Sequence, residues 1–321
     1  MKFKIQRIAG DASFRVFYRF IINNSHKIII SAKKEKYKNL IAYVAVNQFL
    51  RKNKILTPKF YAHNYSRGII IIEDFGDLSF YKVLLKKKDK FSVYKKLIDL
   101  LLQIQKIKPK SKIKNVFNEP HILNKYSSRY LHKESDLFFD WYLSMFFNKR
   151  KVFNIKKKTK KILTQLYRKL HFPNSYFVHR DYHAQNLMKI GNKVGVIDSQ
   201  DALIGHPAYD LVSLVDDVRI KTSNKLKNQI CNYYLKKSKK IHKIKLKKFL
   251  EDFNILSVQR SLKIIGIFSR LFKRDKKKKY LKFIPYTWKL LETRMRSEIF
   301  LELRKILDHN IPKKFRNKIL T

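Results

Sequence analysis

The chain has 321 residues, with 74 Lys and Arg against 24 Asp and Glu, a formal charge of +50. Hydrophobic residues at 45% and aromatics at 14% supply a sizeable core, so the charge does not imply disorder. Seven Gly and seven Pro exclude collagen-like and linker-dominated architectures, and a single cysteine, Cys231, excludes an internal disulfide framework, which fits a reducing cytoplasm.

Met1 to Arg7 is basic, but Arg7, Asp11, Arg15 and Arg19 interrupt any signal-peptide-like apolar run. The best membrane candidate, Ile264 to Phe268, is cut off by Arg260, Lys263 and Arg270, so a soluble cytoplasmic protein is expected. Lysine outnumbers arginine and is spread over the whole length with abundant Ile and Asn, as drift towards A and T codons produces. A dedicated nucleic-acid binder concentrates its charge on one element or tail, so no specific nucleic-acid partner is expected.

In chain order, Phe14 to Ile22 and Lys27 to Ala32 are rich in β-branched and aromatic residues and read as strands. Tyr37 to Arg51 carries Leu40, Val44 and Phe49 at helical spacing. Phe60 to His63 and Gly68 to Glu73 complete a small sheet with one inserted helix. After Gly76 the pattern turns to amphipathic helices over roughly 91–107, 121–147, 157–170, 207–219, 224–237, 245–273 and 285–308. This divides the chain into a lobe at 1–75 and a mostly helical lobe at 76–321.

One region breaks the helical run. Tyr176 to Val178 is β-like, the polar loop 179–186 follows, and Leu187 to Ile190 and Lys193 to Ile197 form a hairpin turning at Gly191-Asn192. Asp181, Asn186, Asp198, Gln200 and Asp201 crowd its open end. Such a cluster in so basic a chain needs a balancing charge, most economically a bound divalent cation.

His179-Arg180-Asp181, with Asn186 five positions after Asp181, fits the H-R-D-x-x-x-x-N pattern of kinase catalytic loops. The spacing suits phosphoryl transfer: one carboxylate accepts the proton of an attacking hydroxyl while an amide oxygen holds Mg²⁺ on nucleotide phosphates. Twelve residues after Asn186, across the hairpin, Asp198 stands where a second metal ligand is required, within the segment 198–201. The string Asp74-Phe75-Gly76 precedes the loop and is not that segment. Glu73 to Asp77 reads as the link between sheet and helical part, with Glu73 and Phe75 at an adenine edge, or as a plain turn. Ala9 to Arg15 sits where a phosphate-covering loop would lie, with Gly10 and Ser13 as phosphate contacts.

These segments, together with Ile197 to Leu214 and Leu262 to Leu271, resemble the aminoglycoside phosphotransferase superfamily of protein-kinase-like small-molecule kinases. The likeness is closest to the cell-wall-recycling sugar kinases that phosphorylate N-acetylmuramate and N-acetylglucosamine at C1 with ATP. The resemblance implies an α+β, bilobal protein-kinase-like fold, ATP and Mg²⁺ as cofactors and an amino-sugar partner. It makes Asp181 the base, Asn186 and Asp198 the metal ligands, and Asp210 a brace of the catalytic loop. His179 is expected to hold the loop. His183, Gln200 and Asp201 either contact sugar hydroxyls or make hydrogen bonds within the loop. Ser199 departs from the aromatic residue usual after the metal-binding Asp, and the ATP-pairing lysine is left open among Lys27, Lys33 and Lys34. Aminoglycoside, choline, homoserine and ketoamine acceptors are the alternatives. The scarcity of acidic residues argues against a cationic acceptor, and a non-catalytic nucleic-acid-binding module is the rival from another class.

Overall fold

The structure, a computed structural model, describes residues 3–8, 15–22, 25–32, 36–239 and 245–317. Its contacts gather into two units, one of residues 1–125, 176–204 and 232–234, the other of residues 126–175, 205–231 and 235–321.

The first unit opens with β1 (Phe3–Ile8), β2 (Val16–Ile22), β3 (Ser25–Ser31), α1 (Lys36–Lys52), β4 (Phe60–Asn64) and β5 (Ile69–Glu73). The five strands form one antiparallel sheet in the order β1-β2-β3-β5-β4. Isoleucines at alternate positions of β3 and β5 explain why this sheet closes: Ile28, Ile30, Ile70 and Ile72 fall on one face, where Leu40, Tyr43 and Val44 of α1 cover them. β1 is a strand the sequence pattern does not announce. It lies at the edge of the sheet, and Lys4 through Arg7 are exposed, so no buried face imposes alternation.

The unit continues with α2 (Phe80–Lys86), α3 (Lys90–Lys106) and a short hairpin, β6 (Lys112–Lys114) with β7 (Pro120–Ile122). α3 starts where the Asp89 side chain accepts the Ser92 N–H, and buries Val93, Leu97, Leu101 and Ile104 at helical spacing. β8 (Tyr176–Val178), β9 (Leu187–Ile190) and β10 (Lys193–Val196) follow. β9 and β10 pair antiparallel across Gly191-Asn192, the expected hairpin, with Gly191 supplying the positive φ the turn requires.

The second unit is built on helices: α4 (Ser128–Leu137), α5 (Lys149–Arg168), then, after β11 (Leu203–Gly205), α6 (Ala208–Val215), α7 (Asn224–Ser238), α8 (Leu246–Lys273), α9 (Ile284–Arg294), α10 (Leu301–Asn310) and α11 (Lys313–Asn317). The expected helix over 121–147 is therefore corrected: 120–122 is a strand, α4 starts after Ser127, and the chain passes into a π-helical turn at Phe138–Tyr142. The expected helix over 285–308 is two, the first ending at Met295 and the chain turning extended at Ser297 before the second. α8 is the axis of this unit. A Cβ on its Gly266 would lie 2.3 Å from the Leu137 backbone carbon, so only glycine admits the end of α4 at that point. Around α8, Glu134 receives Lys263 (2.9 Å), Gln259 (3.1 Å) and the Tyr126 hydroxyl. The buried Asp216 carboxylate is bound by Arg294 and Lys227 and by the Ser257 hydroxyl. Burial opposes its ionisation, but the two cations outweigh that and hold it far below the usual carboxylate range. No described helix is long and apolar enough to cross a membrane.

Candidate active site

β8 delivers the chain into the loop 179–186, which hydrogen bonds fix from several sides. The His179 side chain is fully buried, and its Nε2 donates to the Ile197 carbonyl at 3.0 Å; because a carbonyl only accepts, that nitrogen carries the proton. The Tyr182 hydroxyl donates to the Leu97 carbonyl of α3 at 2.8 Å. Inside the loop the His183 N–H donates to the Asp181 carbonyl (2.9 Å), and the Asn186 side-chain amide donates to the same carbonyl (3.0 Å). Arg180 has φ of 73°, a left-handed conformation that costs a non-glycine residue about 1 kcal/mol or more. Its guanidinium donates to the Asp201 carbonyl at 3.2 Å and lies 3.6 Å from the Asp201 carboxylate. Asp181, between these anchors, is partly buried.

The segment 198–201, where the sequence leads one to expect a metal ligand, lies against this loop. The Ile197 N–H donates to the Asn186 carbonyl at 3.1 Å, setting Asn186 beside the residue that precedes Asp198. Asp198 is also left-handed, with φ of 67°. Its Oδ1 accepts from the Arg15 guanidinium, and a second Arg15 nitrogen donates to Gln200 Oε1 at 3.0 Å. The other end of the Gln200 amide donates to the Asp201 carboxylate at 2.9 Å. Ser199, where the resemblance leads one to expect an aromatic residue, is buried, and its carbonyl accepts the Ala202 N–H at 3.1 Å. The donor set suits a hard divalent cation: Asn186 spends its amide nitrogen on Asp181 and keeps its oxygen, and Asp198 offers a carboxylate. Among the described residues no three His, Cys, Asp or Glu side chains cluster as a zinc site would require.

Of the expected nucleotide contacts, Gly10 and Ser13 lie outside the described residues, as do Lys33 and Lys34. Glu73 ends β5, and its carboxylate accepts the Lys59 N–H at 2.9 Å. The Phe75 ring lies on the hairpin: a Cβ on Gly195 of β10 would meet its Cε2 at 2.6 Å, so the glycine permits the contact. Asp74 accepts the Gly76 N–H at 2.7 Å, closing a turn. Arg19 clamps this turn by donating to both Asp74 and Asp77, and these hydrogen bonds hold the Asp77 carboxyl below its usual range. Asp210 is buried in the first turn of α6, in the second unit. His183 and Gln200 are buried and Asp201 is exposed.

Sequence reasoning passed over Arg15 and Arg19 as site residues. Both belong to an apolar strand run and share one face with Phe17, since period two carries 15, 17 and 19 to the same side. Two arginines on one face of a strand from a sheet core need carboxylate partners, and that need was the available signal.

The chain is 29% identical over 289 residues to the N-acetylmuramate/N-acetylglucosamine kinase of Pseudomonas aeruginosa, covering 89% of this chain and 82% of the relative. It is 28% identical to the protein of the same name from Caulobacter vibrioides, over 84% and 75% of the two chains. Among solved structures, the ADP-bound aminoglycoside phosphotransferase APH(2'')-Ib superposes with a TM-score of 0.60 at 16% identity, covering 91% of this chain and 93% of that one. A choline kinase from Streptococcus pneumoniae gives 0.62 at 13% identity, over 90% and 93%. These likenesses show the protein-kinase-like fold. A family model described as "phosphotransferase enzyme family" matches residues 4–245, and on that match over most of its length the chain belongs to that family.

Proposed function

We propose that this phosphotransferase is an ATP- and Mg²⁺-dependent kinase that phosphorylates the anomeric hydroxyl of N-acetylmuramate or N-acetylglucosamine, in the cytoplasmic recycling of peptidoglycan. The observation that carries this reading is the shared name of relatives matched over most of both chains. The site supports it. Asp181 takes the proton of the sugar hydroxyl as its oxygen bonds to the γ-phosphorus and the bond from that phosphorus to the leaving ADP oxygen breaks. Asn186 Oδ1 and the Asp198 carboxylate hold the cation, which when bound neutralises charge on the phosphates. His179 and Tyr182 keep the loop in the geometry this transfer needs, because positioning is most of what phosphoryl transfer asks of a protein.

In this reading residues 1–75 form the nucleotide lobe, with Gly10 and Ser13 at the phosphates and Glu73 and Phe75 beside the adenine. Residues 76–321 form the helical lobe, where Asp210 braces the catalytic loop. His183 and Asp201 face the sugar, and Gln200 acts there by orienting the Asp201 carboxylate. The test is incubation with ATP, Mg²⁺ and each sugar, with phosphorus–proton coupling used to assign the product. A sugar 1-phosphate is expected. Phosphate on C6, or turnover confined to a different alcohol, refutes the acceptor assignment.

A further inference from the structure

We propose that Arg15 does the work expected of a strand lysine: it supplies the fixed positive charge that faces the nucleotide phosphates and holds the metal-binding carboxylate of Asp198 in place. The inference rests on the kinase reading of this site.

Lysine was the residue to look for on β3, and Lys27 is the described candidate. Its ammonium instead lies 4.8 Å from the centroid of the Tyr61 ring on β4, and its position on β3 alternates with Ile28 and Ile30, which face α1. Arg15 is placed otherwise. It stands at the head of β2, directly after the stretch 9–14 that the sequence assigns to the phosphates. Its side chain is 5% exposed and reaches across 183 residues of chain to Asp198, which is 34% exposed. Phe17 of β2 and Tyr43 of α1 flank the guanidinium with ring centroids at 5.7 and 6.0 Å, so it is wedged between sheet and helix.

The chemistry of the fork follows from this placement. One nitrogen binds Asp198 Oδ1, which leaves Oδ2 to the cation, and another binds Gln200 Oε1, which fixes the plane of the guanidinium. A lysine ammonium in the same place carries the charge but not the planar two-point contact. The two contributions are therefore separable: any cation at position 15 attracts phosphates, and only arginine also orients Asp198.

Binding of ADP by calorimetry in EDTA isolates the charge, since no metal takes part. Arg15→Met is expected to weaken metal-free ADP binding by tenfold or more. Arg15→Lys is expected to restore most of that affinity yet to keep kcat with Mg·ATP at least tenfold below wild type. Melting temperatures of the three proteins without ligand identify any loss due to folding, and Arg15→Lys, which keeps the charge, carries the test if Arg15→Met does not fold. Wild-type ADP affinity in a folded Arg15→Met, or full kcat in Arg15→Lys, overturns the proposal. So does loss of ADP binding in Lys27→Met with Arg15→Met unaffected, which returns the role to β3. A wild-type protein that binds ADP only when Mg²⁺ is present overturns the proposal, and one that binds ADP neither in EDTA nor with Mg²⁺ refutes the kinase reading itself, whatever the variants do.

Discussion

Gly195→Ala tests whether the Phe75 ring rests on the hairpin as described. The added Cβ would lie 2.6 and 2.8 Å from two ring atoms, whereas its third neighbour, Ile190 Cγ1, is at an ordinary 3.4 Å, so the whole conflict is with Phe75. The ring must withdraw by roughly 0.8 Å, and a gap of that size forfeits between a quarter and a half of its dispersion contacts. For a partly buried phenylalanine that amounts to about 1.5 kcal/mol. Replacing glycine by alanine inside a strand returns about 0.5 kcal/mol through lower backbone entropy in the unfolded chain. The net cost is then about 1 kcal/mol, or about 2 °C in melting temperature for a chain of this size. In a Phe75→Ala background the conflict is gone, and Gly195→Ala should stabilise by about 0.5 kcal/mol, a coupling of about 1.5 kcal/mol across the cycle. Denaturant unfolding of the four proteins measures it. An equal effect of Gly195→Ala in both backgrounds would refute the contact and the placement of Phe75 on β10.

Asp181→Asn should leave ADP and sugar binding nearly unchanged while lowering kcat by about 100-fold or more, the scale of a lost general base; turnover equal to wild type would remove Asp181 from that role. Gly266→Ala sets a Cβ 2.3 Å from the Leu137 backbone, which cannot rotate aside; the gain in helix propensity of about 1 kcal/mol should be outweighed by overpacking of about 3 kcal/mol, and a rise in melting temperature would contradict that. Burial lowers the pKa values of His121, His132 and His206, so below the ordinary histidine pKa the unfolded chain binds more protons than the folded one. Stability should therefore fall as pH drops from about 7 towards 5, chiefly through the deeply buried His206 because solvent screens the partly exposed His121 and His132, and a melting temperature that rises over that range would refute it.

The loop 179–186 and the hairpin after it were legible because the residues that mark them lie within one short stretch of sequence. Asp181 and Asn186 sit on one loop, and Gly191-Asn192 turns the chain so that Asp198 returns beside them. Strands β2 to β5 were legible because β-branched and aromatic residues dominate their runs. β1 was not, since an exposed edge strand satisfies its ladder without a buried side. The π-helical turn at 138–142 follows directly on Leu137, which packs on Gly266, a tertiary contact that no window of sequence contains. Arg15 and Arg19 were hidden for the same reason: their meaning lies in Asp198, Asp74 and Asp77, which are distant in sequence.

The bond between Arg15 and Asp198 also dictates an order of assembly. The apolar cluster that closes the sheet on α1 draws all its members from residues 17–116 and can consolidate from that stretch alone. The carboxylate that receives Arg15 comes 183 residues later, a delay of roughly 10–40 s at ordinary rates of synthesis. Closing a loop of that length costs about 4–5 kcal/mol of chain entropy, which the sheet cannot offset before the hairpin exists. The contact of Arg15 with Asp198 waits on β9 and β10, so it is among the last in the first unit to form. A nascent chain arrested before residue 198 would carry the sheet and α1 without the bond that ties Arg15 to the segment after β10.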